Sequence, residues 1–212
     1  MCGGAVVGMR SGASCRPTHG GGAADDTRDL LAEARGAVIQ RKRAEEEAQH
    51  SSRIQAGIVA LQQEMASSQV DLQAMMELLV ERTQDLTGAS GSAVVLVDGD
   101  EMVYRAVAGA AIERLGLRVK RRDSLVGLTV DQEDSLRCDD TETDPRVNLE
   151  ACRKVGARSV MTAPLRIGGT VIGVLELVSG HAHAFRRRES GTLQILAEWM
   201  GIVLQRAAAA QH

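Results

Sequence analysis

Aromatic side chains are almost absent from this sequence of 212 residues, which contains one Tyr, one Phe and one Trp. They are Tyr104, Phe185 and Trp199. Because apolar residues still make up 44% of the chain, we expect a core built from Val, Leu, Ile, Met and Ala. So few aromatic residues cannot form the stacking platform that holds the bases of single-stranded nucleic acids.

The sequence also lacks an excess of positive charge and any long hydrophobic run. Its 25 Lys and Arg residues face 28 Asp and Glu residues, which gives a net charge of -3. Nucleic-acid affinity depends on cations that neutralise phosphates, so we expect no nucleic-acid partner. No apolar stretch approaches the length needed to span a bilayer, and the run 5–9 is too short for a signal-peptide core. We therefore expect no membrane partner.

The cysteines form neither a metal-binding pattern nor a disulfide pattern. Cys2, Cys15, Cys138 and Cys152 include no CxxC pair, and no secretory signal accompanies them, which indicates free thiols in a reducing compartment. This predicts a cytoplasmic protein. A Gly-rich phosphate loop and a Ser-His-Asp arrangement are also missing, so the sequence predicts neither of those catalytic centres.

The N-terminal part is predicted to be a disordered Gly-rich tail, residues 1–26, followed by a helical segment, residues 27–71. Apolar residues recur there at alternating spacings of four and three, which is typical of a coiled coil. For residues 72–86 an apolar stripe that packs on the protein's own sheet explains the spacing equally well. Upstream we favour a second copy of the helix, and hence a homodimer. The predicted seam is Ile54, Ile58, Leu61, Met65, Ser68, Leu72, Met75 and Leu79.

Residues 72–207 are expected to form one α+β domain, and residues 208–212 a short tail. The apolar runs 92–97 and 102–108 flank a polar turn, and the runs 159–165 and 170–178 flank Gly168 and Gly169. Both patterns are typical of hairpins. Because tight turns join antiparallel strands, whereas parallel strands need crossover helices, we predict an antiparallel sheet.

Several motifs follow one another in this domain. They are Ser124-Leu125-Val126-Gly127, Arg137-Cys138-Asp139-Asp140-Thr141, Asp144-Pro145-Arg146, Ala163-Pro164-Leu165 and Gly173-Val174-Leu175-Glu176-Leu177. With these motifs the domain resembles a bacterial GAF domain of the signalling type, preceded by a coiled-coil-like helix. The resemblance implies a GAF/PAS-like antiparallel sheet of five or six strands with flanking helices.

The resemblance also implies where a ligand would lie, which is against one face of the sheet and under the loops that cover it. It identifies neither the ligand nor a cofactor, because this scaffold serves unrelated ligands. The residues implied for the pocket are Leu125, Val126, Gly127, Thr129, Cys138, Asp139, Asp140, Thr141, Asp144, Arg146 and Cys152.

Two clusters of polar residues offer metal ligands, but a structural role is favoured for each. Asp139, Asp140, Glu142 and Asp144 lack the spacing of an EF-hand loop, and Asp144 has a turn role beside Pro145. The pair His181 and His183 falls in a linker between the last strand and the last helix, where exposed polar residues are common. We therefore assign no metal.

Cys138 and Cys152 invite comparison with the free-methionine sulfoxide reductases, an enzymatic branch of the same fold. Arg137, Arg153 and Lys154 are cationic neighbours in the sequence that could lower a thiol pKa. Those enzymes carry another cysteine at the segment that here reads Val126-Gly127. We favour inert buried thiols, the commoner role of free cysteine.

The expected function is a non-catalytic regulatory module that binds a small molecule or a partner protein and signals through helix-mediated dimerisation. The ligand would shift the population between two helix arrangements. The alternative is a scaffold or dimerisation protein whose pocket is filled by its own side chains. A thiol-dependent reductase is the third interpretation.

Overall fold

The fold is built on a six-stranded antiparallel sheet. The computed structural model describes residues 22–66 and 71–210, with side chains for 33–57, 59–60 and 71–206. The strands are β1 (Gly91–Asp98), β2 (Glu101–Gly109), β3 (Arg118–Lys120), β4 (Leu136–Cys138), β5 (Ser159–Ile167) and β6 (Thr170–Ser179). They lie in the order β3-β2-β1-β6-β5-β4. The predicted fold class is confirmed.

Both predicted hairpins are present. Gly168 and Gly169 join β5 to β6 with φ angles of 57° and 87°, a conformation that residues with a Cβ rarely adopt. In the other hairpin Val94 pairs with Ala106 but Val95 pairs with Tyr104. Arg105 is therefore an extra residue in β2, and the strand contains a β-bulge at this point.

Five α-helices accompany the sheet within the described residues. They are α1 (Gly22–Ala66), α2 (Leu72–Thr87), α3 (Leu125–Gln132), α4 (Leu149–Lys154) and α5 (Arg187–Ala210). The Asp71 side chain caps α2 by accepting a hydrogen bond from the Gln73 N–H at 3.0 Å. None of these helices is both long and apolar enough to cross a membrane.

Each face of the sheet has its own core. On one face the apolar stripes of α2 and α5, including Leu79 and Leu196, pack against alternate strand residues such as Leu175. On the other face α3 and α4 cover the remaining strand residues, among them Val174 and Val178. Successive residues of one strand therefore serve opposite cores.

The chain divides into two compact units after His50. The first unit contains the part of α1 up to His50, whose described side chains from residue 33 to residue 49 are exposed. The predicted tail overlaps this helix, because α1 begins at Gly22, and residues 1–21 lie outside the described residues. At the other end α5 continues to Ala210, so residues 208–210 of the predicted tail are helical, and 211–212 lie outside the described residues.

The structure places the C-terminal part of the predicted dimer seam in the domain's own core. Met75 is 7% exposed and Leu79 is fully buried against the sheet, and Leu72 packs at the edge of the same cluster. The physical reason is that a spacing of three and four residues also suits one helix that lies on a sheet. Ile54 is likewise buried, and the side chains of Ile58, Leu61, Met65 and Ser68 lie outside the described ones.

Candidate functional site

A cavity of about 410 Å³ lies on the sheet face that α3 and α4 cover. Small-molecule sites in proteins commonly have volumes of about 300–1,000 Å³. Its wall combines apolar side chains, such as Val126 and Val160, with polar groups from β2, β6 and the segment between β2 and β3. The cavity therefore has the size and the mixed lining of a ligand site.

A buried ion pair stands in the wall of this cavity. Arg114 Nη1 donates to Glu176 Oε2 at 2.9 Å, and the two side chains are only 7% and 5% exposed. The same Nη1 donates to Tyr104 Oη at 3.4 Å, and the guanidinium carbon lies 5.6 Å from the centre of the Tyr104 ring. Glu176 reaches the cavity because it alternates along β6 with Val174 and Val178, which face the same core.

The surroundings of Tyr104 and Arg114 shift the pKa values of both groups. Burial and the charge of Glu176 raise the pKa of Tyr104, so the phenol stays protonated. Burial alone would lower the pKa of Arg114, but Glu176, Tyr104 and Cys152 together outweigh it, so the pKa is raised. The wall thus presents a cation and a neutral phenol beside a carboxylate that Arg114 balances.

The two described cysteines are poor nucleophiles in this environment. Burial raises the pKa of Cys152, which lines the cavity, although the nearby Arg114 acts in the opposite direction. Burial and the Asp144 carboxylate raise the pKa of Cys138 to about 12. Both thiols are therefore protonated at neutral pH, and the thiolate is the reactive form.

The cations expected to activate these thiols are engaged elsewhere. Arg137 pairs with Asp139 at 2.8 Å and Lys154 pairs with Glu150 at 3.0 Å. Arg153 donates from Nε to Glu142 at 3.0 Å. These sequence neighbours therefore do not activate the thiols, because their side chains pair with carboxylates instead.

The acidic loop before α4 is held by arginines. Arg158 Nη2 donates to Asp140 Oδ2 at 2.9 Å, and Arg146 Nη2 donates to Asp144 Oδ2 at 2.6 Å. The Arg146 bond lowers the pKa of Asp144 to about 2. Among the described residues no group of three or more acidic, His or Cys side chains is placed to hold a metal ion. These acids therefore order the loop that leads into α4.

Three of the predicted pocket residues line the cavity, namely Leu125, Val126 and Cys152. The remaining predicted residues lie away from its wall. Gly127 packs so closely against the Arg121 carbonyl that an added Cβ would collide with it. Thr129 Oγ1 is hydrogen-bonded to Thr162 Oγ1 at 2.6 Å inside the core. Outside the lining are Gly127, Thr129, Cys138, Asp139, Asp140, Thr141, Asp144 and Arg146.

Tyr104, Arg114 and Glu176 are the functional candidates that the sequence did not reveal. Glu176 carried one available signal, because it is a lone charged residue within the apolar strand 173–179. Such a residue in a buried strand needs a partner of opposite charge. His181 and His183 are exposed, and the backbone N–H of His183 donates to the Asp139 carbonyl at 2.7 Å, so they belong to the loop structure.

The GAF domain family model matches residues 69–205. The GAF domain of a phosphoenolpyruvate-protein phosphotransferase from Acinetobacter is 20% identical, with a TM-score of 0.64 and coverage of 75% of this chain and 97% of that one. The free methionine-R-sulfoxide reductase of Neisseria meningitidis, solved in complex with its substrate, is 19% identical, with a TM-score of 0.64 and coverage of 79% and 94%. At these identities both likenesses concern the fold alone.

A curated relative is the probable 3',5'-cyclic phosphodiesterase pde-5 of Caenorhabditis elegans, which is 26% identical over 93 residues. The match includes 43% of this chain and 13% of the phosphodiesterase. This chain therefore spans a small part of that relative's length, and the similarity concerns one domain of it.

Proposed function

This chain belongs to the GAF domain family, and we propose from that premise that it is a regulatory module that binds a small molecule in the cavity beneath α3 and α4. The observation that carries the proposal is the Arg114–Glu176 pair on the cavity wall. Two buried charges cost desolvation energy that well-packed apolar residues would avoid. Ligand recognition therefore explains a buried charged pair at an open cavity better than a contribution to fold stability does.

The open cavity also favours this function over the scaffold alternative. A pure scaffold would fill the pocket with its own side chains, as in an ordinary close-packed core. Here about 410 Å³ remains between the sheet and its cover. The free volume supports a ligand-binding role.

The bulge in β2 connects the cavity to α2. Tyr104 lines the cavity, and the next residue, Arg105, is the extra residue of the bulge. The Gln73 side chain of α2 donates from Nε2 to the Arg105 carbonyl at 2.9 Å. A ligand that moves Tyr104 would shift α2 through this hydrogen bond. We propose that the shift of α2 then alters helix pairing in a homodimer or the binding of an unidentified partner protein.

The first test is native mass spectrometry of the full chain purified from a cytoplasmic expression host, because one spectrum reports subunit number and any retained ligand. We expect a dimer that carries additional mass. If a Glu176→Gln variant loses that mass and a Glu77→Gln variant on the exposed face of α2 keeps it, the ligand lies in the cavity. Bare polypeptide mass, with no stabilisation by any compound of a metabolite library in a thermal-unfolding screen, would contradict the proposal.

A second candidate, the thiol-dependent reductase, is favoured by one observation: Cys152 lines the cavity. The raised pKa of this thiol weighs against it. The test is incubation with free methionine sulfoxide and dithiothreitol, with methionine measured by chromatography. Methionine production that disappears in Cys152→Ser would support the enzyme, and no production by the wild type would exclude this activity.

We also propose that the protein works in the cytoplasm. The support is that Cys138 and Cys152 are both free and buried rather than joined in a disulfide, as expected in a reducing compartment. Fluorescence microscopy of the tagged full chain in a bacterial host tests this, and export to an oxidising compartment would contradict it.

A further inference from the structure

Arg114 and Glu176 keep hydrogen-bonding capacity that the described protein groups do not exhaust. The guanidinium makes both of its hydrogen bonds through Nη1. Its Nη2 and Nε have no acceptor among the described residues. The Glu176 carboxylate, which Arg114 Nη1 and the Tyr104 hydroxyl contact, has further lone pairs that can accept a hydrogen bond. Both residues are more than nine-tenths buried, at 6% and 4% exposure, and both line the cavity. A donor and an acceptor are thus available side by side to a bound molecule.

The charges of Arg114 and Glu176 cancel, and this restricts the net charge that a ligand can carry. A net charge in a buried cavity is costly unless an opposite charge balances it. Here the Arg114 cation is already balanced by Glu176 at 2.9 Å. Arg118, also on the lining, is held by Asp98 and Glu101 at 2.6 Å each. Lys120 and Asp123, the other charged residues of the lining, are both exposed and carry opposite charges. The lining therefore has no buried cation left to balance an anionic ligand.

From these observations we infer that the cavity selects a net-neutral molecule whose polar head carries a hydrogen-bond acceptor next to a donor, as in a carboxamide, on an apolar body. The inference rests on the proposed function. The acceptor of the ligand accepts a hydrogen bond from Arg114 Nη2 or Nε, and the donor of the ligand donates one to the Glu176 carboxylate. The apolar body lies against Val126, Val147 and Val160, which line the same cavity. At ~30 Å³ per water, the volume accommodates on the order of a dozen non-hydrogen atoms.

The sequence provides a specific spectroscopic probe for this site. Tyr104 is the one tyrosine of the chain, and it lines the cavity. Trp199 is the one tryptophan, and it packs at the core on the opposite face of the sheet. Full-length protein labelled with 3-fluorotyrosine and 5-fluorotryptophan therefore gives one fluorine resonance at the cavity and one internal control far from it.

The experiment titrates this protein with three compounds that share one body: 3-phenylpropanamide, 3-phenylpropanoate and 3-phenylpropylamine. We expect the amide to shift the Tyr104 resonance, to leave Trp199 unchanged, and to bind at least tenfold more tightly than either ion. Equal or tighter binding of an ion overturns the inference, and so does the absence of a shift with all three compounds. The proposed function is judged separately by the retained mass, so it survives if that mass belongs to a charged ligand.

Two variants test whether the Arg114–Glu176 pair causes the preference for the amide. Glu176→Gln keeps the side-chain shape but leaves the Arg114 charge unbalanced, so the preference should move at least tenfold toward 3-phenylpropanoate. The double variant Arg114→Met, Glu176→Leu replaces both charges by apolar groups of similar volume, a change that folded proteins tolerate. It should lose the tenfold preference for the amide. An unchanged preference in this double variant overturns the inference even if Glu176→Gln does not fold, and Glu77→Gln serves as the control with the same change on the surface.

Discussion

At the scale of single residues, the energetics of the site depend on the balance between Arg114 and Glu176. Each side chain neutralises the charge of the other, and removal of one leaves a buried charge without compensation. Exposed pairs such as Arg118 and Asp98 have water as an alternative partner and contribute little. The same type of contact therefore has different consequences in the cavity and on the surface.

We predict that Arg114→Met lowers the free energy of unfolding by about 3–5 kcal/mol, because Glu176 then remains buried without a partner. The double variant Arg114→Met, Glu176→Leu should recover most of that loss. Urea unfolding followed by circular dichroism measures both. Arg118→Met is the matched control, and we expect it to destabilise the protein far less, because water can replace the partners of an exposed arginine. A loss in Arg114→Met no larger than in this control would contradict the prediction.

The thiols of Cys138 and Cys152 should react slowly in the folded protein. Burial raises the pKa of both, so little thiolate exists at neutral pH. We expect alkylation by iodoacetamide at least tenfold slower than in urea-unfolded protein, as measured by peptide mass spectrometry. Fast native alkylation of Cys152 would indicate a thiolate in the cavity and would favour the reductase.

The Asp144 carboxyl should make the protein sensitive to acid. Its pKa in the folded state is about 2, compared with an ordinary value of 3.8, because of the Arg146 bond. A lowered folded pKa gives a stabilisation that is complete above the unfolded pKa and is lost as the pH falls from about 4 to about 2. In urea unfolding at several pH values, Asp144→Asn should flatten this fall, whereas Asp85→Asn on the exposed surface of α2 should leave it unchanged. An equally steep fall in Asp144→Asn would show that other carboxyls account for it.

At the scale of elements, the hairpins could be predicted from the sequence because their signals are local. Gly168 and Gly169 mark a turn between two apolar runs whatever the rest of the chain does. The partner of α2 could not be predicted in this way. The spacing that includes Met75 and Leu79 suits either a second helix or the protein's own sheet, and only the assembled domain shows that these side chains face the sheet.

The helix α5 lies very close to β5 at one glycine. An added Cβ at Gly201 would collide with the Arg166 carbonyl, whereas at Gly191 of the same helix it would meet nothing within 4 Å. We predict that Gly201→Ala destabilises the protein by ~2 kcal/mol or more through overpacking. Gly191→Ala should stabilise it by ~0.5–1 kcal/mol through helix propensity. Thermal unfolding of the two variants measures the difference, and equal midpoints would argue against the close approach.

At the scale of the whole molecule, the general location of the site could be predicted but its chemistry could not. Leu125 and Val126 lie in a motif that resembles the GAF family, and the resemblance also implied Cys152 for the pocket. All three line the cavity. Arg114 and Glu176 are 62 residues apart in the sequence, and no local pattern joins them. Their contact exists because the segment after β2 returns to the centre of the sheet beside β6.

The quaternary structure remains a prediction from the heptad spacing, in which Ile58 is a seam position. We expect the full-length protein to sediment as a dimer. Ile58→Asp should weaken the dimer at least tenfold in sedimentation-velocity dilution series, because a charge enters an apolar seam. Ser52→Asp, at an exposed position of the same helix, is the control. A wild-type protein that sediments as a monomer would eliminate helix pairing from the mechanism.

The extra residue in β2 has a geometric consequence for the whole domain. Side chains along a strand alternate between faces, so residues 102, 104, 106 and 108 of an unbroken strand would all point the same way. Here Met102 and Tyr104 face the cavity side, whereas Ala106 and Ala108 lie under α2. The extra residue, Arg105, reverses which face of the sheet the following side chains point to. Because of this reversal, β2 presents the Tyr104 ring to the ligand cavity at one end and the small side chains of Ala106 and Ala108 to α2 at the other.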